Sequence, residues 1–227
     1  MNLIPKGRKN HRGIIGVEAA IVMIAFVIVA AALSFVVLNM GFSTTQKAKT
    51  TISDSLEEAS SSMEIAGKVT GAGDVTGNAL NAVSFPLKIA SGGASVNLDP
   101  ASATVRYASN DLAYENIYTG ILSTGPYASV SDALTAAVTA TYIDDHPLTG
   151  GTGSPTNTSA IVWFATNNND NAILDTGELA MLTIVWSDTD RPSALDHIST
   201  EVILPTGATL SVERAIPSIT NQVVDMG

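Results

Sequence analysis

The sequence predicts an α+β chain in which one long N-terminal hydrophobic α-helix is followed by an all-β sandwich domain. Every residue from Ala19 to Leu33 is apolar, a Gly-rich stretch follows the helical pattern, and short β-rich runs fill the rest of the 227 residues. We therefore divide the chain into residues 1–13, a helix over 14–66, a linker over 67–80 and a β-sandwich domain over 81–227.

Composition excludes several classes of protein. Charged residues make up 14% of the chain, against about 25% in a soluble globular domain, and hydrophobic residues make up 45%, which excludes overall disorder. The absence of cysteine excludes a disulfide scaffold, a thiol nucleophile and a Cys-ligated metal. The net charge of −10 and the sequence pI near 4.5 argue against binding to nucleic acid.

The charges are divided unequally between the two ends. Four of the eleven basic residues precede Gly13 without any acidic residue, and the remainder of the chain carries seven basic and twenty-one acidic residues, a net charge of −14. These four residues are Lys6, Arg8, Lys9 and Arg12. By the positive-inside rule the N-terminus lies in the cytoplasm and the acidic body lies outside the cell.

The apolar segment is long enough to cross a membrane. It continues through Phe35–Leu38, and no charge occurs between Glu18 and Lys47. At about 1.5 Å per residue the segment exceeds the roughly 30 Å hydrocarbon core of a bilayer, so we expect it to be in a membrane at some stage. A secretory signal peptide fits poorly, because its apolar region would span about 7–15 residues and end at a cleavage site.

The helical pattern extends beyond the apolar run. Apolar residues recur at spacings of three and four after Gly41, which is typical of an amphipathic helix. The stripe consists of Ile52, Leu56, Ala59, Met63 and Ala66, with Lys49, Asp54, Glu57, Glu58 and Glu64 among the polar positions. The pattern predicts one helix from about Ile14 to Ala66, about 80 Å long.

Glu18 is the one acidic residue at the start of the apolar segment, where a carboxylate is unfavourable. One interpretation keeps Glu18 at the membrane interface. In the other, a cut after Gly13 makes Ile14 the new N-terminus, with Glu18 one helical turn away. A charge pair between the new amine and Glu18, within or between chains, would lower the cost of burying both groups.

The body of the chain reads as a series of strands. Seven short β-rich runs are separated by Gly, Pro, Asn, Asp and Ser, without intervening helices, and such a pattern favours a β-sandwich. The runs lie near Val83–Ile89, Ala103–Tyr107, Ala137–Ile143, Ala160–Ala165, Leu179–Trp186, Ile198–Leu204 and Ala208–Glu213.

One loop has the ligand spacing of a calcium site. Asn167, Asn169, Asn171, Ile173, Asp175 and Glu178 occupy positions 1, 3, 5, 7, 9 and 12 of a twelve-residue stretch, as in an EF-hand loop. Ala172 stands where that loop has glycine, and three Asn replace carboxylates, which predicts weak binding of about 10⁻⁴–10⁻³ M. Leu174 would anchor the loop in the core. The alternative is an Asn-rich turn between two strands.

A glycosylation site is predicted at Asn157, since Asn157-Thr158-Ser159 is the one Asn-x-Ser/Thr motif and lies in a Gly/Thr/Ser-rich loop. The motif is short and also frequent by chance. We expect the acidic surface to serve solubility.

The sequence carries no recognisable catalytic motif. It lacks a Gly-x-Ser-x-Gly elbow, a His-Glu-x-x-His pair and a phosphate-binding loop. Asp144, Asp145 and His146 are adjacent on a turn, where side chains diverge, so we expect a solvated loop. Trp163 and Trp186 lie in apolar runs and are expected in the core or a subunit interface. We predict that the chain is not an enzyme and requires no cofactor.

The N-terminal and C-terminal residues resemble a known family. Arg12-Gly13 followed by Ile14–Ala20 looks like the class III signal peptide of type IV pilin-like proteins. Three further segments and the C-terminal end resemble archaellin, the subunit of the archaeal swimming filament. These are Ile24–Ala31, Val37–Phe42, Thr44–Lys49 and Pro205–Arg214 with Pro217. The resemblance covers roughly residues 8–66 and 201–217.

The resemblance implies how the chain is made and used. A membrane peptidase of the prepilin type would remove Met1–Gly13, and a membrane platform with a cytoplasmic ATPase would move subunits from the bilayer into an extracellular helical filament. The helices would form the filament core and the β-domains its outer wall. Archaellins can also carry a metal in the β-domain, which supports the predicted calcium site.

Two other functions remain open at the level of the sequence. An adhesion pilin of the same superfamily would share the assembly but form a static fibre, and Asn39–Lys49 favours archaellin over it. A bitopic membrane protein with an outer binding domain would retain Met1–Gly13 on the mature chain.

Overall fold

The computed structural model describes residues 12–60, 62–148, 155–205 and 207–227, and of residues 12–15, 54 and 57–60 it describes the backbone. The chain forms two compact units, which meet between Asp54 and Ser55. The first is helical and the second is built on β-sheets. The predicted fold class, a long apolar helix before a β-sandwich domain, is therefore confirmed.

Helix α1 extends over Arg12–Ser60, 49 residues and about 74 Å at the standard rise. The sequence has no proline between Pro5 and Pro86, so nothing of that kind interrupts the helical hydrogen bonds. The predicted end at Ala66 is wrong. Three consecutive serines, Ser60 to Ser62, disfavour a continued helix, because serine is a weaker helix former than alanine or leucine. Beyond them Met63–Ile65 forms strand β1.

The predicted linker over 67–80 is also wrong, because Thr70–Asp74 forms strand β2 and pairs with strand β3 over Ala79–Ile89. Its glycines allow close packing instead of flexibility. A β-carbon at Gly71 would lie 3.0 Å from the side chain of Leu80, and one at Gly73 would overlap the side chain of Ile219. The β-domain thus includes the segment that the composition assigned to a linker.

The described residues form two principal sheets. Besides β1, β2 and β3, the strands are β4 Val96–Asn97, β5 Thr104–Ser109, β6 Ala113–Tyr114, β7 Tyr118–Leu122, β8 Ser159–Thr166, β9 Ile173–Leu174, β10 Leu179–Val185, β11 His197–Ile203, β12 Leu210–Ala215 and β13 Val223–Asp225. The larger sheet has the order β13-β2-β3-β10-β8-β7, with β1 also paired to β3, and the smaller has the order β12-β11-β5-β6. A separate pair joins β4 to β9.

The main core lies between the two sheets. Phe85 and Phe164 from the larger sheet and Val202 from the smaller sheet belong to one buried cluster, as alternating strand residues should. Trp186, fully buried as predicted, lies with its ring centroid 5.8 Å from that of Tyr107. The two sheets therefore form the predicted sandwich.

A second core covers the other face of the larger sheet, where helix α2, Val130–Thr139, packs Leu134 against a cluster that contains Ile161 and Trp163. The prediction of a strand over Ala137–Ile143, and of no helix within the body, is wrong. Strands β7 and β8 pair in parallel, so the chain must cross over between them, and α2 lies in that crossover. The Ser129 hydroxyl caps the helix by accepting a hydrogen bond from the Asp132 amide at 3.1 Å.

Candidate functional site

Apolar side chains cover α1 on all sides between Val17 and Phe42. Every large hydrophobic side chain from Val17 to Phe42 is between 50% and 72% exposed in the single chain. Gly16–Ser53 is long and apolar enough to cross a membrane by length and composition. A helix that is hydrophobic all round is stable when it is buried in lipid or protein, since each exposed Val, Leu, Ile, Phe or Met leaves about 1.5–3 kcal/mol of transfer free energy unused.

Five hydroxyl groups of α1 donate hydrogen bonds to the backbone of the same helix. Ser34 donates to the carbonyl oxygen of Ala30, Thr44 to that of Met40 and Thr45 to that of Gly41, each at 2.8 Å. Thr50 and Thr51 donate in the same way to the preceding turn. Ser34 is the one of these within the long apolar run, and its hydroxyl can enter a dry environment already paired.

Glu18 lies within α1 and its side chain is exposed. Between Arg12 and Lys47 it is the one charged residue of the sequence. Gly13 and Ile14 lie in the first turn of α1 in the uncut chain, while Met1 to His11 fall outside the described residues. The predicted cleavage and the predicted amine–Glu18 pair belong to a processed chain and stay predictions.

The Asn-rich loop joins β8 to β10 and is organised around Glu178. This carboxylate is 3% exposed, and its two oxygens accept hydrogen bonds from the backbone amides of Asn168 at 2.7 Å and Asp175 at 3.0 Å. Leu174 is fully buried, as predicted, and pairs with Val96 between β9 and β4. Glu178 thus closes the loop from inside, and Leu174 fixes it to the core.

The other predicted ligands also bind the loop itself. The side-chain oxygens of Asn167, Asn169 and Asn171 accept from backbone amides two residues further on, at 3.2, 3.2 and 2.7 Å. The Asn169 amide nitrogen donates to Asp175 at 2.6 Å, and the Ser95 hydroxyl donates to the other Asp175 oxygen. The structure therefore brings Asn169, Asp175 and Glu178 into one loop, with each engaged in hydrogen bonds.

This loop does not have the geometry of an EF-hand. The residues with positive φ are Asp170, the fourth position, at 54°, and Gly177, the eleventh, at 93°, whereas the EF-hand turns at its sixth position, here Ala172. Within the residues that the structure describes, no group of three His, Cys, Asp or Glu side chains is arranged to hold a metal. The hydrogen bonds explain the loop without an ion, and calcium binding stays a prediction from the sequence.

The predicted glycosylation site lies on an exposed segment before β8. The Asn157 side chain is exposed, and its amide nitrogen donates to Asp144 at 3.0 Å and to the Thr156 hydroxyl at 3.2 Å. Ser159, the third residue of the motif, is buried at the start of β8. The acceptor asparagine is thus accessible, while the hydroxyl of its motif is not.

The Asp144-Asp145-His146 turn does not form a catalytic cluster. Asp144 accepts from Thr156 and Asn157, and Asp145 accepts from the backbone amide of His146. The expectation of a fully solvated loop is wrong for His146, which is buried and lies with Nε2 3.1 Å from the Ser131 carbonyl oxygen. Its Nδ1 accepts from the amide of Leu148 at 3.1 Å, so this side chain has a structural role.

Asp190 is a polar link between the sheets that the sequence reading missed. It accepts hydrogen bonds from Tyr114 in β6 at 2.8 Å and from Thr158, just before β8, at 2.6 Å. Partial burial acts to raise the pKa of the Asp190 carboxyl, but hydrogen bonds led by Thr158 and Tyr114 outweigh it and hold the pKa below its usual value. No local sequence motif marks it, because its partners are 32 and 76 residues away.

An apolar helix that requires burial, joined to a β-sandwich, indicates a class of protein whose helix is covered by lipid or by other protein chains. The model of the archaeal-type flagellin family matches residues 13–214. The chain therefore belongs to the archaeal-type flagellin family, which is a family of structural proteins.

Relatives of similar length agree with this assignment. A probable flagellin 1 of Aeropyrum pernix is 36% identical over 213 residues, which cover 92% of this chain and 94% of the relative. A probable flagellin 1 of Archaeoglobus fulgidus is 43% identical over 97 residues, which cover 43% of this chain and 48% of the relative.

The fold is similar to two solved structures. The archaeal flagellum of Methanospirillum hungatei strain JF1 aligns with a TM-score of 0.62 at 22% identity, over 93% of this chain and 99% of that chain. The crystal structure of archaeal flagellin FlaB1 from Methanocaldococcus jannaschii aligns with a TM-score of 0.57 at 14% identity, over 73% of this chain and 96% of that chain.

Proposed function

We propose that this chain is the repeating subunit of the extracellular filament of an archaeal flagellum and that copies polymerise through α1. The exposed apolar surface of α1 carries the proposal, because many copies packed together would bury it. Membership of the flagellin family and the likeness to the Methanospirillum hungatei flagellum support a filament. Contacts that do not close on themselves extend without limit, which gives a helical filament instead of a ring.

The proposed filament has no catalytic task. The β-domain would form its outer wall, and its acidic side chains would keep the wall soluble. Torque would come from a separate motor, and the subunit would transmit force through packed helices.

The experiment is to shear cells that make this chain, collect the filaments and determine the N-terminus of the chain by mass spectrometry. A chain that begins at Ile14 and is found in filaments supports both polymerisation and processing. A chain that begins at Met1 and is found in membranes alone would overturn the proposal and leave a tethered receptor. Loss of swimming after deletion, with attachment to surfaces unchanged, would favour a flagellum over an adhesive pilus.

We also propose that the chain enters the membrane before assembly and is cut after Gly13 by a prepilin-type peptidase. The four basic residues ahead of the apolar segment support insertion with the N-terminus in the cytoplasm. The match to the flagellin family starts at residue 13, where the proposed mature chain nearly begins. A membrane platform and its ATPase would then extract the subunit into the filament.

The cleavage position is tested by Gly13→Ile, which places a branched side chain beside the scissile bond. We expect the mass of the full precursor and no filaments, with the variant retained in the membrane fraction. Gly16→Ile, three residues into the mature chain, is the control for a bulky side chain in the same helix. Filaments of normal length built from uncut Gly13→Ile would contradict the site.

We propose glycosylation at Asn157, supported by its exposed side chain. Attachment to Nδ2 would leave one N–H to donate to Asp144. The measurement is the mass of the peptide that contains Asn157 from sheared filaments, compared with the same peptide from Asn157→Gln. An unmodified peptide in the wild-type filament would contradict this proposal without affecting the proposed polymerisation.

A further inference from the structure

Leu195 is exposed and conformationally strained at once. Of the large hydrophobic side chains described outside α1, it is the most exposed, at 75%. Its φ of 75° lies in the left-handed region, which is unfavourable for leucine and common for glycine. Neither burial nor backbone preference in the single chain explains a leucine here.

The loop around Leu195 holds this conformation firmly. The Leu195 amide donates to the carbonyl oxygen of Ile216 at 2.8 Å, and the Ile216 amide donates to the carbonyl oxygen of Asp196 at 2.9 Å. The Asp196 carboxylate accepts from the Ser193 amide at 2.8 Å. The loop therefore presents the leucine side chain to the outside in a fixed position.

A second exposed apolar residue lies on the adjoining turn. Val75 is 49% exposed in the turn that joins β2 to β3. The carbonyl oxygen of Asn78, in the same turn, accepts from the amide of Ala194 at 3.4 Å. Val75 and Leu195 thus lie on neighbouring loops, which we name the Val75–Leu195 surface.

The charge of the domain limits how two copies can bind each other. From residue 62 onward the chain has five basic and seventeen acidic side chains, a formal charge of −12. Four of the basic side chains, Lys68, Lys88, Arg106 and Arg191, are in ion pairs with acidic groups of the same chain. Arg214 is outside these ion pairs, so two copies have few cations to offer each other's acids, and a contact between them depends mainly on apolar side chains.

The small size of the Val75–Leu195 surface limits which partner can bind it. Two side chains bury far less than the roughly 1,000 Å² that a stable interface with a free partner needs. Copies already held together by their helices have a high effective concentration, so a small apolar contact between them becomes significant.

We propose that the Val75–Leu195 surface binds the β-domain of a neighbouring copy of this chain and adds a contact in the outer wall to that made by α1. This inference rests on the proposed filament. The strain at Leu195 is then explained, because the leucine gains burial in the polymer that it lacks in the single chain.

The test compares Leu195→Gly with the wild type in two states of the full chain: sheared filaments, and subunits dispersed in detergent micelles. Glycine adopts φ of 75° without strain, so we expect the melting temperature of the dispersed β-domain to stay the same or rise by roughly 2–4 °C. In the filament the loss of one leucine contact should raise the ratio of dispersed to assembled subunits at fixed detergent by about tenfold or more.

Asn78→Gly is the matched control, because Asn78 also has positive φ, at 49°, and lies on the same surface without a large apolar side chain. It should relax the backbone and leave the resistance of filaments to detergent unchanged. Leu195→Gly filaments as resistant as the wild type would overturn the inference, and so would an equal loss of stability in the dispersed subunit. A wild-type chain that is absent from filaments would overturn the proposed function instead.

Discussion

At the scale of single residues, Glu178 shows how one buried carboxylate holds a loop together. Its oxygens bind the amides of Asn168 and Asp175, on either side of the Asn-rich turn. We expect Glu178→Ala to lower the free energy of unfolding by about 1–3 kcal/mol, because both amides lose a buried acceptor. The measurement is thermal unfolding in calcium and in chelator. A loss of stability that occurs in calcium and not in chelator would support the sequence prediction of a metal site. An equal loss in both conditions would favour the interpretation of the loop as a turn.

Asn169→Asp provides the complementary variant. Asn169 donates to Asp175 at 2.6 Å, so an aspartate there replaces a hydrogen bond with repulsion between two carboxylates. Without calcium the melting temperature should fall, and recovery on adding calcium would be the sign of a bound ion.

Asp190 gives a prediction of acid sensitivity. Because its folded pKa lies below the unfolded value of about 4, its contribution to stability is present above that value and is lost as the pH falls through the folded pKa. We expect Asp190→Asn to unfold more easily at pH 7 and to lose less stability than the wild type below about pH 4. Parallel stability curves for the two chains from pH 7 to pH 2 would contradict this role.

At the scale of elements, β7 and the end of α2 are fitted to each other. The ring of Tyr142 packs over Gly120 on edge strand β7, so closely that a β-carbon at Gly120 would overlap the ring. Gly120→Ala should therefore displace Tyr142 and lower the free energy of unfolding by about 1–3 kcal/mol. Gly125→Ala is the control for backbone strain without steric overlap. Gly125 has no atoms near its missing β-carbon, but its φ of 78° is unfavourable for alanine. An unchanged melting temperature for Gly120→Ala would contradict the close fit.

The local sequence pattern predicted most helices and strands. It failed where contacts with residues distant in the sequence determine the structure. The apolar run of α1 and six of the seven predicted β-rich runs correspond to elements of the predicted type, since side-chain periodicity is a local property. Ala137–Ile143 was misread because β-branched residues favour a strand, while the parallel pairing of β7 with β8 requires a crossover. The segment 67–80 was misread because glycine marks close packing as well as flexibility.

The features of the candidate site likewise divide into those that follow from the local sequence and those that depend on tertiary structure. The helix surface follows from composition alone, since an all-apolar helix needs burial wherever it lies. The spacing of the Asn-rich loop predicts a calcium site, but spacing does not give backbone dihedral angles, and the non-glycine residue with positive φ is Asp170. The role of Asp190 depends on tertiary contacts, and that of Leu195 depends on its backbone φ. No local sequence pattern indicates either.

At the scale of the whole molecule, net charge should keep filaments apart. The full chain carries −10 with a pI near 4.5, and removal of residues 1–13 changes the charge to −14. We expect sheared filaments to stay dispersed at pH 7 and low salt, because their negative charges repel each other. The processed chain has lost four cations, so its isoelectric point lies below that of the full chain, and we expect the filaments to bundle at a pH below 4.5. Light scattering and electron microscopy across this range provide the measurement. Bundles at pH 7 without added salt would contradict the prediction.

The hydroxyls of α1 that donate to their own backbone have a mechanical consequence. Between Ile21 and Leu38, neighbouring helices in the proposed filament would meet through side chains that make no directional bonds between chains, so the cost of sliding one subunit along the next would be spread over many weak contacts. Packed helices that slide in small steps can move without breaking. Such a filament would bend and change its helical pitch elastically. It would therefore transmit rotation from one end to the other with some torsional flexibility.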